Sequence, residues 1–459
     1  MTGRSISTIS KTSLSIVALA WALTVGGVAH ADILIKNATL YDGTGKAAVK
    51  GANILVKGDR IAQVSTSAIS AGRAQVIDGT GKFVMPGIFD SHVHVPGGQA
   101  GPVTDGVNRK PANNRAEAIP ALHAELYSGV TSIYDSGNNE DFIYPLRADE
   151  QAGKVISPRI FVAGGVISVP NGYGAGVTAL KATTWEETKK GLDAKLAKKP
   201  DMLKLIRETQ GQFNTKTVKT LTDEQMKQIT SYAKEHGVRT TVHASNELNS
   251  QASIDNGITA LAHSVRNQVL NDSYIKSLVD NKIVVSTTAV GFAMTPPALK
   301  GDTSILDGRL FKAEMTEEEL AKAKADTLAT VKSGAVYVSV AGLPYARRNL
   351  KQLHEAGVIL SSGTDRPIGA FTHVELGFLA ECGISAFDLI KIATLNGAMY
   401  VGREKDLGSI EAGKYADLLV LDADPAADVK NFQAINTVIK AGKKIDLAKL
   451  EIPINQKKK

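Results

Sequence analysis

The feature that most limits the fold of this chain is a long alternation of short apolar runs and helix-like segments after Pro86. Eight runs follow one another, and each precedes a segment with helical spacing. They are GIFDSHVHV, GVTSIYDSG, RIFVAGG, DMLKLIRE, VRTTVHAS, ITALAHSV, KIVVSTTAV and VILSSGTDRP. Strands that alternate with helices form parallel sheets, and eight such units close into a barrel. The sequence therefore predicts a (β/α)8 TIM barrel over residues 86–403.

The two ends of the chain share a different pattern. Residues 32–85 and 404–459 contain short β-like runs separated by Asp-Gly and Gly-Lys turns, as in DILIKNATLYDGTGK and GKYADLLVLDADP. Such runs and turns are typical of small antiparallel sheets. Because the ends resemble each other and differ from the middle, we predict an α/β protein in which the barrel is inserted into a small β-sandwich. The chain closes with a basic tail.

The first 31 residues have the composition of a secretory signal peptide. Arg4 and Lys11 precede an apolar run over residues 14–28, and Ala-His-Ala follows at 29–31. Positive charge, an apolar core and small residues at a cleavage site define such signals. We expect a mature chain that starts at Asp32 in the periplasm or outside the cell, without a membrane anchor. An uncleaved anchor is the alternative.

Charge and cysteine content exclude some classes of function. The formal net charge is +7, but the basic residues are scattered and do not form a stripe with aromatic residues. We therefore expect no nucleic-acid partner. The single cysteine, Cys382, can form neither an intramolecular disulfide nor a thiolate metal site.

Side chains that bind metals recur at the ends of the predicted strands. Barrel enzymes place their chemistry at the carboxyl ends of the strands. Residues two apart on a strand point to the same side, so a His-x-His pair can meet one ion. Nitrogen and oxygen ligands without thiolate suit zinc, manganese or a similar divalent ion. The candidate set comes from five strands and comprises His92, His94, Lys204, His243, His263 and Asp365.

Lys204 is the unusual member of this set, because it lies in the middle of an apolar strand. A buried ammonium costs several kcal/mol unless it is paired or neutralised. Burial depresses the pKa of a lysine and leaves a nucleophilic amine. The alternative is a lysine that points outward, with its stem along the helices and its head in solvent.

Together, these motifs resemble the amidohydrolase superfamily. VMPGIFDSHVHV resembles the signature of the first strand, and TVHAS, LAHS and SGTDRP resemble the fifth, sixth and eighth strands. The stretch from FLAECG to LVLDADP resembles the segment where these chains leave the barrel. Within the superfamily, the chain is similar to the imidazolonepropionase-related branch that includes prolidase-like dipeptidases.

The resemblance implies that the protein binds two divalent cations, which we expect to be zinc ions. One would be held by His92, His94 and Asp365, and the other by His243 and His263. Lys204 would bridge them as N6-carboxylysine, the carbamate formed with carbon dioxide. A metal-bridged hydroxide would attack the amide, and Asp365 would be the catalytic proton carrier.

The implied substrates are dipeptides or N-acyl amino acids, including ochratoxin-like aryl amides. Relatives of this kind are often oligomeric, so the resemblance also implies a homo-oligomer. If Lys204 points outward, the site is mononuclear, and the alternative is a hydrolase of cyclic amides or a deaminase. A metal-stabilised binding protein without catalysis is a third hypothesis, disfavoured by the acid–base aspartate.

Substrate contacts are predicted from the free carboxylate of such substrates, which calls for a cation. Arg207, Arg266 and Arg366 each lie close to the end of a predicted strand. Tyr134, at the end of the second strand, is a candidate hydrogen-bond donor to a substrate oxygen. His373 follows Asp365 closely and is a further candidate.

Overall fold

The computed structural model describes residues 32–98, 112–176, 178–210, 217–332 and 335–457, so the predicted signal at 1–31 lies outside the described residues. These ranges contain eighteen β-strands: β1 Ile33–Leu40, β2 Val49–Lys57, β3 Arg60–Ser65, β4 Gln75–Asp78, β5 Phe83–Pro86, β6 Ile88–Val93, β7 Val130–Asp135, β8 Arg159–Val162, β9 Ile167–Ser168, β10 Leu180–Lys181, β11 Met202–Ile206, β12 Arg239–His243, β13 Ala260–Leu261, β14 Val284–Ser286, β15 Ile359–Ser361, β16 Leu418–Leu421, β17 Ile435–Lys440 and β18 Lys443–Lys444.

The same ranges contain fourteen α-helices: α1 Arg115–Tyr127, α2 Glu140–Gln151, α3 Trp185–Ala197, α4 Asp223–Glu235, α5 Glu247–Asp255, α6 Asp272–Asp280, α7 Val290–Ala298, α8 Arg309–Glu314, α9 Glu317–Thr330, α10 Ala335–Glu355, α11 Ala370–Glu381, α12 Ala386–Ile392, α13 Leu395–Tyr400 and α14 Pro453–Gln456. Capping boxes at Thr222 and Thr316 satisfy the first free N–H groups of α4 and α9. Among the described helices, none is both long and apolar enough to cross a lipid bilayer.

Eight parallel strands form the predicted barrel, in the chain order β6, β7, β8, β11, β12, β13, β14 and β15. Asp201 N donates to Val162 O across 2.9 Å and joins the third strand to the fourth. Ser91 N donates to Ser362 O across 2.9 Å and joins the first strand to the eighth. These bonds close the ring, and the predicted TIM barrel is confirmed.

An apolar layer fills the lower half of the barrel. Phe89 stacks on Phe161 with ring centroids 5.5 Å apart, and Tyr134, Met202 and Val284 belong to the same buried cluster. Residues two apart on a strand share a face, so the side chains that follow these residues lie one layer nearer the carboxyl ends. Polar side chains occupy that upper layer, above a floor that excludes water.

The strands from the two chain ends form one sheet in the order β18-β17-β16-β5-β1-β2-β3, with β4 beside β1. Leu418 and Val420 of β16 face a core of their own with β1 and β2, whereas Leu419 and Leu421 pack on the barrel. Alternate side chains of one strand thus bind the two units together. The two chain ends meet in one small domain as predicted, but within the described residues they form a single sheet and not a sandwich of two. Two of its strands, β4 and β5, run parallel to β1.

Candidate active site

The six predicted ligands converge at the carboxyl ends of the barrel strands. The ring centroid of His263 lies 4.8 Å from that of His92 and 4.6 Å from that of His243. The rings of His92 and His94 are 5.5 Å apart. The Lys204 amine is close enough to lower the pKa of His92, His243 and His263 by its charge, although burial is the larger cause for each.

His92, His94 and Asp365 form a compact ligand set. Asp365 Oδ1 lies 3.7 Å from His92 Nε2 and 3.6 Å from His94 Nε2, and the three ligand atoms all lie within 4.8 Å of one another. Two ligands of a tetrahedral ion at 2.0–2.2 Å are roughly 3.3–3.5 Å apart. The arrangement therefore fits one divalent cation with little movement.

His243 and His263 form a second pair of ligands. His243 Nδ1 faces His263 Nε2 across 2.9 Å, and the two rings are inclined at 81°. A separation of about 3.3 Å would suit two nitrogen ligands of one ion. A shift of a few tenths of an ångström would therefore admit a cation between them.

The first two imidazoles are oriented by backbone carbonyls. His92 Nδ1 contacts Ala262 O at 3.0 Å, and His94 Nδ1 contacts Gly137 O at 2.7 Å. A carbonyl only accepts, so each Nδ1 carries the proton and each Nε2 keeps a free lone pair toward Asp365. The tautomers that a metal requires are thus selected by the fold.

The other two imidazoles have side-chain partners. His263 Nδ1 contacts the hydroxyl of Thr288 at 2.8 Å, and His243 Nε2 lies 3.5 Å from Glu208 Oε2. Burial raises the pKa of Glu208, but contacts with the His243 and Ser245 side chains outweigh it and lower that pKa below its usual value. A carboxylate beside His243 Nε2 leaves Nδ1 free to face His263.

Asp365 occupies a specialised backbone position. Its φ is +55°, in the left-handed region that aspartate tolerates better than most residues, and its N–H donates to His92 O across 2.7 Å. Burial favours a higher pKa, but the imidazoles of His92 and His94 lower the pKa of Asp365 to about 2. Its side chain is 43% exposed, so an ionised carboxylate faces the open end of the site.

Lys204 points into the barrel rather than outward along the helices. The residue is 3% exposed, and its Nζ donates a hydrogen bond of 2.7 Å to Ser136 Oγ. Burial lowers the pKa of Lys204 to about 7, against the opposing charges of Asp365 and Asp135. Near neutral pH, a large fraction of these side chains is therefore an uncharged, nucleophilic amine.

Two of the three candidate arginines lie at the site. Arg266 Nη1 donates to Thr288 O across 3.0 Å, and its guanidinium carbon lies 5.6 Å from the Phe292 ring. Arg366 is exposed, and its Nη1 contacts Asp365 O at 3.2 Å. Both cations thus adjoin residues that contact or supply the candidate ligands.

The structure does not bring Arg207 or His373 to the site. Arg207 forms an ion pair of 2.8 Å with Asp223 at the start of α4, so its guanidinium links the loop after β11 to that helix. His373 Nε2 contacts Ser128 O at 2.9 Å, just before the amino end of β7 and on the order of 20 Å from the carboxyl end. Both are corrected to structural roles.

Tyr134 points into the barrel as predicted, but it lies one layer below the candidate ligands. It is fully buried in the lower barrel layer, with its ring centroid 5.7 Å from that of Tyr400. Ser136, two residues later on the same face, already lies in the Lys204 layer. A substrate above that layer cannot reach the Tyr134 hydroxyl, and this prediction is also corrected.

Four further residues lie at the site without having been predicted from the sequence: Tyr173, Glu208, Ser136 and Thr288. The Tyr173 ring stacks on His243, with centroids 4.8 Å apart and planes inclined at 25°. Burial raises the pKa of Tyr173 to about 12, and the charges of Asp365 and Glu208 add to this shift. Its glycine-rich loop, NGYGAG, follows the third barrel strand and was the available signal.

Comparison with known sequences agrees with this arrangement. The profile of the Amidohydrolase family matches residues 83–445. An imidazolonepropionase of Symbiobacterium thermophilum is 23% identical over 94% of this chain and 96% of its own length. Matches of higher identity are short: an imidazolonepropionase of Shouchella clausii is 37% identical over 21% of this chain and 23% of its own length, and a 5-methylthioadenosine/S-adenosylhomocysteine deaminase of Moorella thermoacetica is 32% identical over 32% and 37%.

Solved structures share the fold over nearly the whole chain. A Xaa-Pro dipeptidase with bound methionine aligns with a TM-score of 0.70 at 22% identity, over 90% of this chain and 100% of that one. Molinate hydrolase gives 0.73 at 19% identity, over 92% and 96%. The ochratoxinase of A. niger gives 0.69 at 20% identity, over 90% and 95%. The chain belongs to the amidohydrolase family.

Proposed function

We propose that this protein is a hydrolase of carbon–nitrogen bonds that binds two divalent cations and cleaves dipeptides or N-acyl amino acids. The observation that carries the proposal is the second ligand pair, His243 and His263, which face each other beside the set of His92, His94 and Asp365. A mononuclear site needs only one such set. Two adjacent sets of zinc-type ligands support a binuclear centre.

Lys204 would supply the anion shared by the two sets. The neutral amine attacks carbon dioxide, an N–C bond forms, and one proton leaves to solvent, which gives N6-carboxylysine. The low pKa of Lys204, about 7, makes the amine available near neutral pH. The cost of burying the new negative charge would be offset by the cations.

Asp365 would act as the general base and then as the general acid during hydrolysis. Bound divalent cations lower the pKa of a water toward neutrality and polarise a carbonyl. Asp365 is ionised, with a pKa of about 2, and lies between His92 Nε2 and His94 Nε2 at the mouth. It would accept the proton of the attacking water as the C–O bond forms, and then deliver it to the leaving nitrogen as the amide C–N bond breaks.

Arg266, Tyr173 and Phe292 support a substrate with both a carboxylate and an apolar group. The Arg266 guanidinium lies near the Phe292 ring, and its charge affects the pKa of Tyr173. A carboxylate would bind the guanidinium, while the rings would contact a proline, aliphatic or aryl group. Dipeptides and ochratoxin-like aryl amides combine these groups, and two structural neighbours are named as a Xaa-Pro dipeptidase and an ochratoxinase.

A mononuclear hydrolase of cyclic amides, or a deaminase, is the second candidate. Within the described ranges, the set of His92, His94 and Asp365 is the one group in which three acidic or imidazole ligands meet. Relatives named as imidazolonepropionase and as a deaminase match the chain. In that case the His243–His263 pair would bind substrate or water instead of a cation.

Metal counting and a substrate panel would test both candidates. The protein would be stripped of metal, reconstituted with zinc or manganese and bicarbonate, and assayed by mass spectrometry for bound metal. Dipeptides, N-acyl amino acids, aryl amides, cyclic amides and adenosine derivatives would be scored by released amine or ammonia. Two ions per chain with turnover of carboxylate-bearing amides would support the proposal. One ion with turnover of cyclic amides or amino-purines would favour the second candidate, and bound metal without any turnover would contradict both.

We also propose that the chain is exported and assembles as a homo-oligomer. Export rests on the charged, apolar and small-residue pattern of residues 1–31, and assembly rests on the family resemblance alone. Amino-terminal sequencing of protein from the periplasm or medium should begin at Asp32. Membrane-bound protein that still contains residues 1–31 would favour an uncleaved anchor. Light scattering of the purified protein should give a mass above that of one chain.

A further inference from the structure

One of the four candidate imidazole ligands has an outer partner unlike the rest. Two rings contact backbone carbonyls and one contacts a hydroxyl, all of them uncharged, at Ala262, Gly137 and Thr288. His243 instead has its Nε2 3.5 Å from the carboxylate of Glu208. The difference falls on the ligand pair that has no carboxylate of its own, since Asp365 belongs to the other set.

Glu208 is held firmly in this position. It is 1% exposed and lies two residues beyond the carboxyl end of β11. Its backbone N–H donates to Thr220 Oγ1 across 2.9 Å, and its Oε1 accepts from Gln210 N across 2.8 Å. One carboxylate oxygen is thus fixed by the loop, which leaves Oε2 directed at His243.

We propose that Glu208 is a positioning residue that selects the His243–His263 pair for the second cation. Its carboxylate can only accept, so it keeps the proton of His243 on Nε2 and leaves the Nδ1 lone pair toward His263. It also adds a negative charge next to a ligand pair that is otherwise neutral. The inference rests on the proposed binuclear function and assigns control of the second site to a residue that touches neither substrate nor cation.

Glu208→Gln tests this role because it keeps the side-chain size and the acceptor for Gln210 N. It removes the charge and presents an NH2 group to His243, which favours the opposite tautomer. We expect the affinity of the second ion to fall by about 10- to 100-fold, the usual effect of losing an outer partner, with the first ion retained. A purely structural role in the loop would weaken both ions together or neither.

The measurement is a titration of metal-free, bicarbonate-treated protein with Mn²⁺, followed by electron paramagnetic resonance and by metal counting. Wild type should develop the signal of an exchange-coupled pair. Glu208→Gln should show a single-ion signal at the same Mn²⁺ concentration. Glu208→Asp keeps the charge and should lose less second-ion affinity than the glutamine variant.

Glu247→Gln is the matched control. Glu247 is also buried, at 8% exposure, and begins α5 just after β12, but its carboxylate contacts Asn271. The Glu247→Gln variant should bind both ions with the same affinities as wild type. Equal second-ion affinity in Glu208→Gln and wild type would overturn the inference. A wild-type protein that binds one ion would instead contradict the proposed function. If the glutamine variant does not fold, Glu208→Ala, which also removes the carboxylate, takes its place, and unchanged second-ion affinity in that variant would overturn the inference.

Discussion

The amine of Lys204 and the hydroxyl of Ser136 face each other inside the barrel, with Nζ donating to Oγ across 2.7 Å. Both residues are buried, and Met202 places an apolar layer beneath them. An amine in this position is useful to catalysis but costs free energy in the folded state, because its charged form is separated from water. The two effects can be measured separately.

Lys204→Met should separate stability from activity. The substitution removes the buried amine and keeps an unbranched side chain, so the free energy of unfolding of the metal-free protein should stay constant or rise by about 1–3 kcal/mol. Turnover should fall by more than about 100-fold, because no carbamate can form. Urea unfolding and a steady-state assay give the two quantities. A variant that loses stability and keeps its activity would contradict the assigned role.

Asp365→Asn should abolish turnover without unfolding the chain. Asparagine tolerates the φ of +55° at this position, so the backbone should hold. The amide cannot take the proton of the attacking water, and turnover should fall by about 10³-fold or more. The His243–His263 pair should still bind its ion, as metal counting would show. Activity within tenfold of wild type would exclude Asp365 as the proton carrier.

Arg266→Gln should weaken binding of substrates that have a free carboxylate. A charge-assisted hydrogen bond contributes about 1.5–3 kcal/mol, so KM should rise by about 10- to 100-fold. The same substrate with its carboxylate converted to a carboxamide should show no such change. Arg207→Gln is the control, since Arg207 pairs with Asp223 outside the site. An equal loss for both substrates would show that Arg266 has another role.

His373→Gln should change how stability depends on pH. Burial lowers the pKa of His373 to about 4, below its ordinary value of 6.5. Between these two values the unfolded chain binds a proton that the folded chain does not, so wild type loses stability as the pH falls through this window. Glutamine keeps a donor for Ser128 O but does not titrate. The stability difference between variant and wild type should therefore shift in favour of the variant by on the order of 1 kcal/mol per pH unit from pH 6.5 to 4. Urea unfolding at pH 7, 6 and 5 would measure it, and parallel curves would contradict it.

The barrel and the converging ligands were predictable because their signals are local. A histidine or aspartate that follows an apolar run indicates that the run is a barrel strand and marks its carboxyl end. This holds even for β13, which consists only of Ala260–Leu261 and is followed by His263. Pairing of the chain ends also followed from their similar turns. The parallel placement of β4 and β5 against β1 has no such signal, because sheet order depends on distant contacts.

The outer contacts of the ligands were not predictable for a physical reason. His92 is held by Ala262 O, 170 residues away, and His94 by Gly137 O, 43 residues away. A backbone carbonyl has no residue-specific signal, so nothing in the sequence marks its role. Glu208 and Tyr173 do have such side chains, but the approach of each to His243 comes from the closure of the barrel.

The predicted substrate contacts failed where the alternation of side chains along a strand was not taken into account. Lys204 points into the barrel, and side chains alternate along β11, so Arg207 three residues later belongs on the other side. The same alternation places Tyr134 one layer below Ser136. His373 is close to Asp365 in the chain, but its ring on α11 contacts Ser128 O and not the ligands. Sequence proximity was a weaker guide than the geometry of each element.

The pairing of β5 with β16 has a consequence for how the chain is made. Leu418 lies opposite Pro86, about 330 residues earlier in the chain. At the usual rates of translation, the first strand of this pair waits roughly 15–70 s for its partner to leave the ribosome. Until then, the edge of β5 and the apolar face of β1 are exposed to any other nascent chain nearby. Crowded polysomes should therefore make this protein dependent on holding chaperones, and slower synthesis of the last segment should increase that dependence.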